Sequence, residues 1–380
     1  MLIRADRMLH PDGTLAPGWL VVRGDRIVRT GAGFLPEDAG SADLEVDLLS
    51  PGFVDIHCHG GGGASFGSGD PGQVAAAAGA HRREGTTSLL ASLVSDELPA
   101  LEAQLAALDE AAAAGEVDGV HLEGPWLSPA RCGAHDPAVL SHPSADAVDR
   151  LLAAGRGRVR MVTLAPELPG GLEAVRRLAG AGVVAAVGHT EADARTVARA
   201  VAAGATVATH LFNAMPPVHH RAPGPVPVLL DAARVVVELV ADGVHLHPLV
   251  LRLAARAARG GWVLVTDAMP GALAADGDYR LGRLTAQVRD GVARLPDGAV
   301  AGSTLGMSRA VRTAVAAGLP LAEVLRAATV VPARTVGLTG VGVLEPGARA
   351  DLVVLDDDLE VRGVLRGGDW VVPVSAGGAP

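Results

Sequence analysis

Apolar runs recur through the middle of the chain, at 53–57, 86–93, 118–123, 159–164, 182–188, 205–210, 235–240 and 262–266. In most of them apolar side chains occupy successive positions, which indicates strands buried on both faces. Between most of these runs lie Ala/Leu/Arg-rich segments of helical character, at 97–114, 171–180, 193–203 and 248–259. Buried parallel strands alternating with helices over roughly 250 residues predict an α/β fold, a (β/α)8 TIM-type barrel. A doubly wound sheet is the alternative arrangement of the same elements. Two further helical runs, 305–317 and 320–329, follow the last strand.

The two ends of the chain have a different pattern. LVVRGDRIVRTG, residues 20–31, looks like two strands joined at Gly24-Asp25. Residues 341–372 are again short strand runs separated by Gly, Pro and Asp. Neither end is long enough for a sandwich of its own. The expectation is one small β-sandwich domain built from 1–50 and 341–380, around a catalytic barrel at 51–340. No internal repeat or low-complexity linker is visible.

Composition narrows the function classes. The chain has 380 residues, of which 49% are hydrophobic, enough for a large core. The net charge of −10 argues against nucleic acid as a partner. No run is apolar for long enough to span a membrane, and MLIRADRMLH lacks the apolar segment of a secretory leader. The 2 cysteines, Cys58 and Cys132, make no disulfide framework, which fits a reducing, cytoplasmic setting. All 32 basic residues are arginine. The absence of lysine excludes a Schiff-base lysine, a P-loop lysine and a carboxylated lysine bridging two metals. The glycines at 60–63 are therefore not a nucleotide-binding loop.

The candidate chemistry lies at the ends of the apolar runs, where barrel enzymes carry their catalytic groups. In LSPGFVDIHCHGGGG, residues 49–63, an extended backbone places Asp55, His57 and His59 on one side and Cys58 on the other. Two imidazoles on one face form half of a metal site. Later runs end in Glu123, His189, His210 and Asp267, and the seventh leads into Asp242 and His245. One such residue alone would be a cap or surface group; their joint placement predicts a metal site. Imidazole with carboxylate suits Zn or Fe(II). Such a metal would activate water and polarise a carbonyl, with Asp267 taking the proton and delivering it to a leaving amine. That is hydrolysis of a carbon–nitrogen bond.

PGFVDIHCHG, GVLEPGARADLVVLD and the order of strand-end residues resemble the amidohydrolase superfamily. HLEGPWLSPARCGAH, VGHT, THLFNAMPPVHHRAPG, VADGVH, VTDAM and AGSTLGM resemble, within it, the N-acetylglucosamine-6-phosphate deacetylase family. The resemblance covers nearly the whole chain. It implies that Glu123, His189 and His210 hold the principal divalent metal, with Asp267 as general acid/base and His135 polarising the acetamide carbonyl. It implies that Asn213, the Ala214 backbone, Arg221 and His245 contact a phosphosugar, and that the protein is a homodimer with Arg221 reaching across the interface. His57 and His59 then allow a second metal, bridged by Glu123; the alternative is a single metal with these two histidines positioning water.

The expected reaction converts N-acetylglucosamine 6-phosphate and water to glucosamine 6-phosphate and acetate. The alternatives are an amidohydrolase acting on an N-acyl amino acid or cyclic amide, and a non-catalytic scaffold protein of the same fold. The phosphate-side residues argue against the first, and the complete set of polar strand ends argues against the second. Cys132 is expected in a loop near the site, Cys58 and His121 in the wall, and His219 and His220 beside Arg221. His10, His81, His142 and His247 are expected to be bystanders.

Overall fold

A computed structural model of the chain describes residues 1–36 and 40–374. The chain begins with four strands, β1 (Leu2–Leu9), β2 (Leu15–Arg23), β3 (Arg26–Ala32) and β4 (Leu44–Pro51). Eight strands then follow, β5 (Phe53–Cys58), β6 (Thr86–Leu93), β7 (Gly119–Glu123), β8 (Val159–Leu164), β9 (Val184–Val187), β10 (Ala205–Ala208), β11 (Val236–Val240) and β12 (Trp262–Val265). They coincide with the eight apolar runs to within a few residues. A helix lies between each consecutive pair: α1 (Pro71–Arg83), α2 (Leu98–Ala113), α3 (Ala145–Ala154), α4 (Gly171–Gly180), α5 (Ala194–Ala203), α6 (Pro225–Asp231) and α7 (Pro248–Ala257).

The eight strands pair in parallel in sequence order. The ring closes at its C-terminal end, where the Asp267 N–H donates to the His57 carbonyl at 2.9 Å and the His59 N–H to the Ala268 carbonyl at 2.8 Å. A barrel, rather than an open doubly wound sheet, is the result. All residues of β5, β6 and β7 are buried, because side chains fill the barrel interior on one face and meet helices on the other.

After β12 comes a ribbon absent from the sequence expectations: β13 (Gly277–Leu281), β14 (Leu284–Arg289) and β15 (Val292–Arg294), paired antiparallel. It carries its own small apolar cluster around Met269, Leu281, Ala286 and Val288. Its strands alternate exposed and buried positions, as a ribbon with one solvated face must. Helices α8 (Met307–Ala316), α9 (Leu321–Ala327) and α10 (Val330–Thr335) complete the barrel wall.

The chain ends in β16 (Leu352–Leu355), β17 (Val361–Arg366) and β18 (Asp369–Val372). These join the first four strands in one seven-stranded sheet, in the order β18-β17-β16-β4-β1-β2-β3. Leu352 pairs with Pro51 and Leu355 with Leu48, so the two ends of the chain meet along β4, one residue before the barrel begins. The sheet has its own core, with Ile3, Leu20, Ile27, Leu352 and Leu365. Among the described residues, no helix is long and apolar enough to cross a membrane.

Candidate active site

At the C-terminal mouth of the barrel the strand ends converge on Glu123. Its Oε1 lies 3.1 Å from His189 Nε2 and 3.0 Å from His210 Nε2. Its Oε2 lies 3.1 Å from His59 Nε2 and 3.1 Å from His135 Nε2. Thus Oε1 meets the His189/His210 pair and Oε2 meets His59 and His135, while His57 Nε2 lies 3.5 Å from Oε1. Two imidazole groups form around it: the Nε2 atoms of His189 and His210 are 3.0 Å apart in the first, and those of His57 and His59 are 3.1 Å apart in the second. Asp267 faces the second group, with Oδ1 3.4 Å from both His57 Nε2 and His59 Nε2.

The backbone turns these side chains inward. His189, His210 and Asp267 have φ of 48°, 26° and 50°, a region non-glycine residues seldom occupy. Each lies just beyond its strand, where the chain leaves the sheet and the side chain swings over the barrel axis. Such strain of about 1–3 kcal/mol per residue persists only where the surroundings enforce it. Here the strand ladder below and the bond closing the ring do so.

The outer ring nitrogens define the tautomers. His57 Nδ1 donates to Glu238 Oε2 at 3.0 Å, and His189 Nδ1 donates to the Arg131 carbonyl at 2.7 Å. Both therefore aim an Nε2 lone pair at the centre. His135 is opposite: its Nδ1 accepts the Ser95 N–H at 3.1 Å, which leaves the proton on Nε2, facing the cavity. Burial pushes the His135 pKa down to about 4, against the pull of Glu123, so the ring is a neutral donor.

This donor set fits a divalent cation. Glu123, Asp267 and Glu238 are all buried around it. No arginine side chain among the described residues bonds to any of them, so their charge is offset by a bound cation or, without one, by protons on His57 and His59, whose pKa values they raise against burial. When no cation is bound, burial would lower the His57 pKa, but the same carboxylates raise it well above its ordinary value. Burial would raise Glu123, but the charged His57 ring, with the His135 hydrogen bond, holds it well below its own. Asp267 is lowered too: burial opposes, and His57 and His59 prevail. Lone pairs of paired imidazoles meeting at about 3 Å repel unless a cation lies between them, and ligands at 2.0–2.1 Å from a tetrahedral zinc are roughly that far apart. The Nδ1 atoms of His59 and His210 and the Oε1 of Glu238 are buried without a partner among the described residues, which leaves the set incompletely satisfied by protein alone.

A cavity of about 330 Å³ opens over the cluster. It is lined by His59, Glu123, His135, His189, His210, Asn213, Ala214, His245 and Asp267. His245 is held by Asp242, Nδ1 to Oδ2 at 2.7 Å, and its Nε2 is 3.7 Å from Asp267 Oδ2. Asn213 Nδ2 donates to the His210 carbonyl at 3.1 Å. Leu281 of β13, with Ala299, Val300 and Gly302, closes one side. Arg221 is not in this lining; it is exposed on the loop after Asn213, bonded to His220 Nε2 at 2.8 Å.

Three placements depart from the sequence reading or add to it. Asp55 does not join the His57/His59 face. It groups with Cys58 and His81 and accepts the Thr266 hydroxyl at 2.5 Å, because the β5–β6 register slips between Asp55 and Cys58 and breaks the simple alternation. His81, expected to be a bystander, stays outside the donor set but is buried, with Nε2 2.9 Å from the Gly60 carbonyl oxygen. Glu238, overlooked in the sequence, supports two site histidines, since it also accepts the His210 N–H at 3.1 Å. Its signal was available: it is the one charged residue in the apolar run VVELV, and a carboxylate buried there needs a partner. His121 lies in the wall as expected, linked to Ser92 and Thr163.

Residues 48–371 match the amidohydrolase family. The N-acetylglucosamine-6-phosphate deacetylase of Bos taurus is 40% identical over 97% of this chain and 93% of its own length. The N-acetylgalactosamine-6-phosphate deacetylase of Escherichia coli O157:H7 is 36% identical over 95% of this chain and 96% of its own. A mutant N-acetyl-D-glucosamine-6-phosphate deacetylase from Mycobacterium smegmatis, solved in complex with N-acetyl-D-glucosamine-6-phosphate, superposes with a TM-score of 0.94 at 47% identity, covering 98% of this chain and 99% of that one. Together with the barrel and its carboxylate-and-imidazole centre, these matches show that the chain belongs to the amidohydrolase family, on its N-acetylglucosamine-6-phosphate deacetylase branch.

Proposed function

We propose that this chain is a metal-dependent hydrolase that removes the acetyl group from N-acetylglucosamine 6-phosphate, giving glucosamine 6-phosphate and acetate. The observation that carries the reading is the convergence of Glu123, its two imidazole groups, Asp267 and the His135 Nε2–H on one cavity in a chain with these relatives. Glu123, His189 and His210 would hold the principal metal. His57 and His59, with the second oxygen of Glu123, offer places for another. When bound, a divalent cation of the Zn or Fe(II) type lowers the pKa of water and polarises the acetyl carbonyl.

The residues divide the remaining work. Asp267 is ionised at neutral pH and takes the proton of the attacking water. The His135 Nε2–H donates to the carbonyl oxygen as negative charge develops there. Asp267 then returns its proton to the departing nitrogen, so the amine leaves neutral. His245, fixed by Asp242, borders the same cavity and contacts the sugar. Asn213 and the Ala214 backbone line the side from which the Arg221 loop departs. We assign the phosphate to that side. Arg221, exposed in a single chain, would reach the phosphate of a neighbouring subunit in a homodimer. Unbridged Cys58 and Cys132 support a reducing, cytoplasmic setting.

The Escherichia coli relative supports a second reading in which the 4-epimer, N-acetylgalactosamine 6-phosphate, is the substrate. The test is acetate release by the purified, metal-analysed protein from both epimeric phosphosugars and from unphosphorylated N-acetylglucosamine. Fast release from N-acetylglucosamine 6-phosphate alone supports the first reading. Faster release from the galactosamine epimer would replace it with the second. No release from any of them by metal-loaded protein would refute both.

A further inference from the structure

The barrel has a second polar cavity at its opposite end, which the deacetylase reading does not use. Its volume is about 280 Å³, and it lies where the starts of β7 and β8 meet the terminal sheet. Arg158 and Arg160, on either side of the first residue of β8, line it from the barrel. Arg349, just before β16, and Arg366, at the end of β17, line it from the terminal sheet. Asp118 is the one carboxylate in the lining.

Following each charge to its partner shows the imbalance. Arg349 bonds Asp351 at 2.6 Å and Asp118 at 3.3 Å, and Arg158 bonds Asp109 at 3.2 Å. Arg366 donates to the Thr87 carbonyl at 2.9 Å and to the Gly115 carbonyl, and has no carboxylate partner among the described residues. Arg160 has neither a hydrogen bond nor an ion pair among the described residues, and its Nε is buried. Four guanidiniums thus share three carboxylates, Asp109, Asp118 and Asp351, with the last two also near Arg366. The half-buried recess therefore carries one uncompensated positive charge, and Arg160 has no partner of its own among the described residues. Burial, with Arg82 and Arg349 nearby, pushes the Arg366 pKa below its ordinary value, as crowded like charges do. The chain as a whole carries a net charge of −10, so this positive recess is not a reflection of overall composition.

We propose that this recess binds a small phosphorylated anion, held between the barrel and the terminal sheet. Phosphate is the chemistry favoured by several guanidiniums converging on one space, because each planar fork can take two phosphate oxygens at once. The volume lies just below the roughly 300–1,000 Å³ of pockets for drug-sized ligands, so the ligand is compact. Since two of the arginines belong to each sheet, the anion ties the sheets together, and binding raises the thermal unfolding temperature.

The probe is inorganic pyrophosphate, titrated at low salt into the full-length metal-loaded protein by calorimetry, with thermal unfolding measured in parallel. Arg160→Gln, which breaks no hydrogen bond or ion pair among the described residues, should weaken binding at least tenfold and reduce the rise in unfolding temperature, while turnover without pyrophosphate stays unchanged. Arg160→Lys, which keeps the charge but not the fork, should lose less. Pyrophosphate that enters the catalytic cavity instead would bind wild type and Arg160→Gln alike. Equal affinity and equal thermal shift in those two proteins, or no binding at millimolar pyrophosphate, overturns the proposal and leaves these arginines as a structural join alone.

Discussion

At the scale of single residues, the site separates groups that gather charge from groups that move protons. Asp267 lies 3.4 Å from His57 and His59 and makes no ion pair with His189 or His210 among the described residues. Asp267→Asn should therefore lower kcat by about a thousandfold or more while metal content, read by elemental analysis, stays near that of the parent. Glu123→Gln should have the contrary signature, with metal lost first, because Glu123 is the carboxylate shared by both imidazole groups. A Glu123→Gln protein with full metal occupancy would remove it as a ligand. Arg221 is exposed and outside the cavity of its own chain, so Arg221→Ala should raise KM for the phosphosugar and leave unphosphorylated N-acetylglucosamine little affected. Equal losses on both sugars would sink the phosphate role.

At the scale of elements, the working geometry depends on the turns that follow the strands. Asp267 is fixed at its own carbonyl by the Ser303 N–H at 2.7 Å, and Gly302, with φ of 61°, lets the chain pass close by. A Cβ on Gly302 would lie 2.8 Å from the Asp267 carbonyl oxygen and in a backbone region L-residues avoid. Gly302→Ala should displace the Asp267 turn and cut kcat by roughly tenfold or more, since about 1.4 kcal/mol of misplacement is already a factor of ten. Its far-ultraviolet circular dichroism should stay unchanged, because the turn lies outside the strands and helices. An Ala variant with parental kcat would show that the turn tolerates the added methyl.

At the scale of the whole molecule, the barrel carries buried carboxylates that are balanced either by a bound cation or by protons taken up on His57 and His59. Removing metal with a chelator should abolish turnover and lower the unfolding temperature by several degrees, and both should return with Zn or Fe(II). Chelated protein that unfolds at the parental temperature would mean that the imidazoles satisfy Glu123 and Asp267 without a cation. Closure of the ring between β12 and β5 brings Asp267 beside His57 and His59 across more than two hundred residues of chain. The terminal sheet joins the two chain ends immediately beside that seam, with β16 paired to β4 and β4 leading straight into β5.

What the sequence determined by itself is whatever depends on local pattern. Runs of successive apolar residues specify strands buried on both faces, and a polar residue at the end of such a run has nowhere to go but the barrel mouth. For that reason His57, His59, Glu123, His189, His210 and Asp267 were all legible before any coordinates. Only the tertiary structure decided how their atoms meet. Nothing local says that Glu123 Oε1 meets His189 and His210 while Oε2 meets His59 and His135, that Ser95 sets the His135 tautomer, or that Glu238 stands behind His57. Strict alternation misplaced Asp55, because a register slip is a property of two paired strands and not of either one. The ribbon from β13 to β15 and the arginine recess at the far end were invisible for the same reason. Each is assembled from segments whose individual patterns are unremarked, and the forces that join them act between residues far apart in the chain.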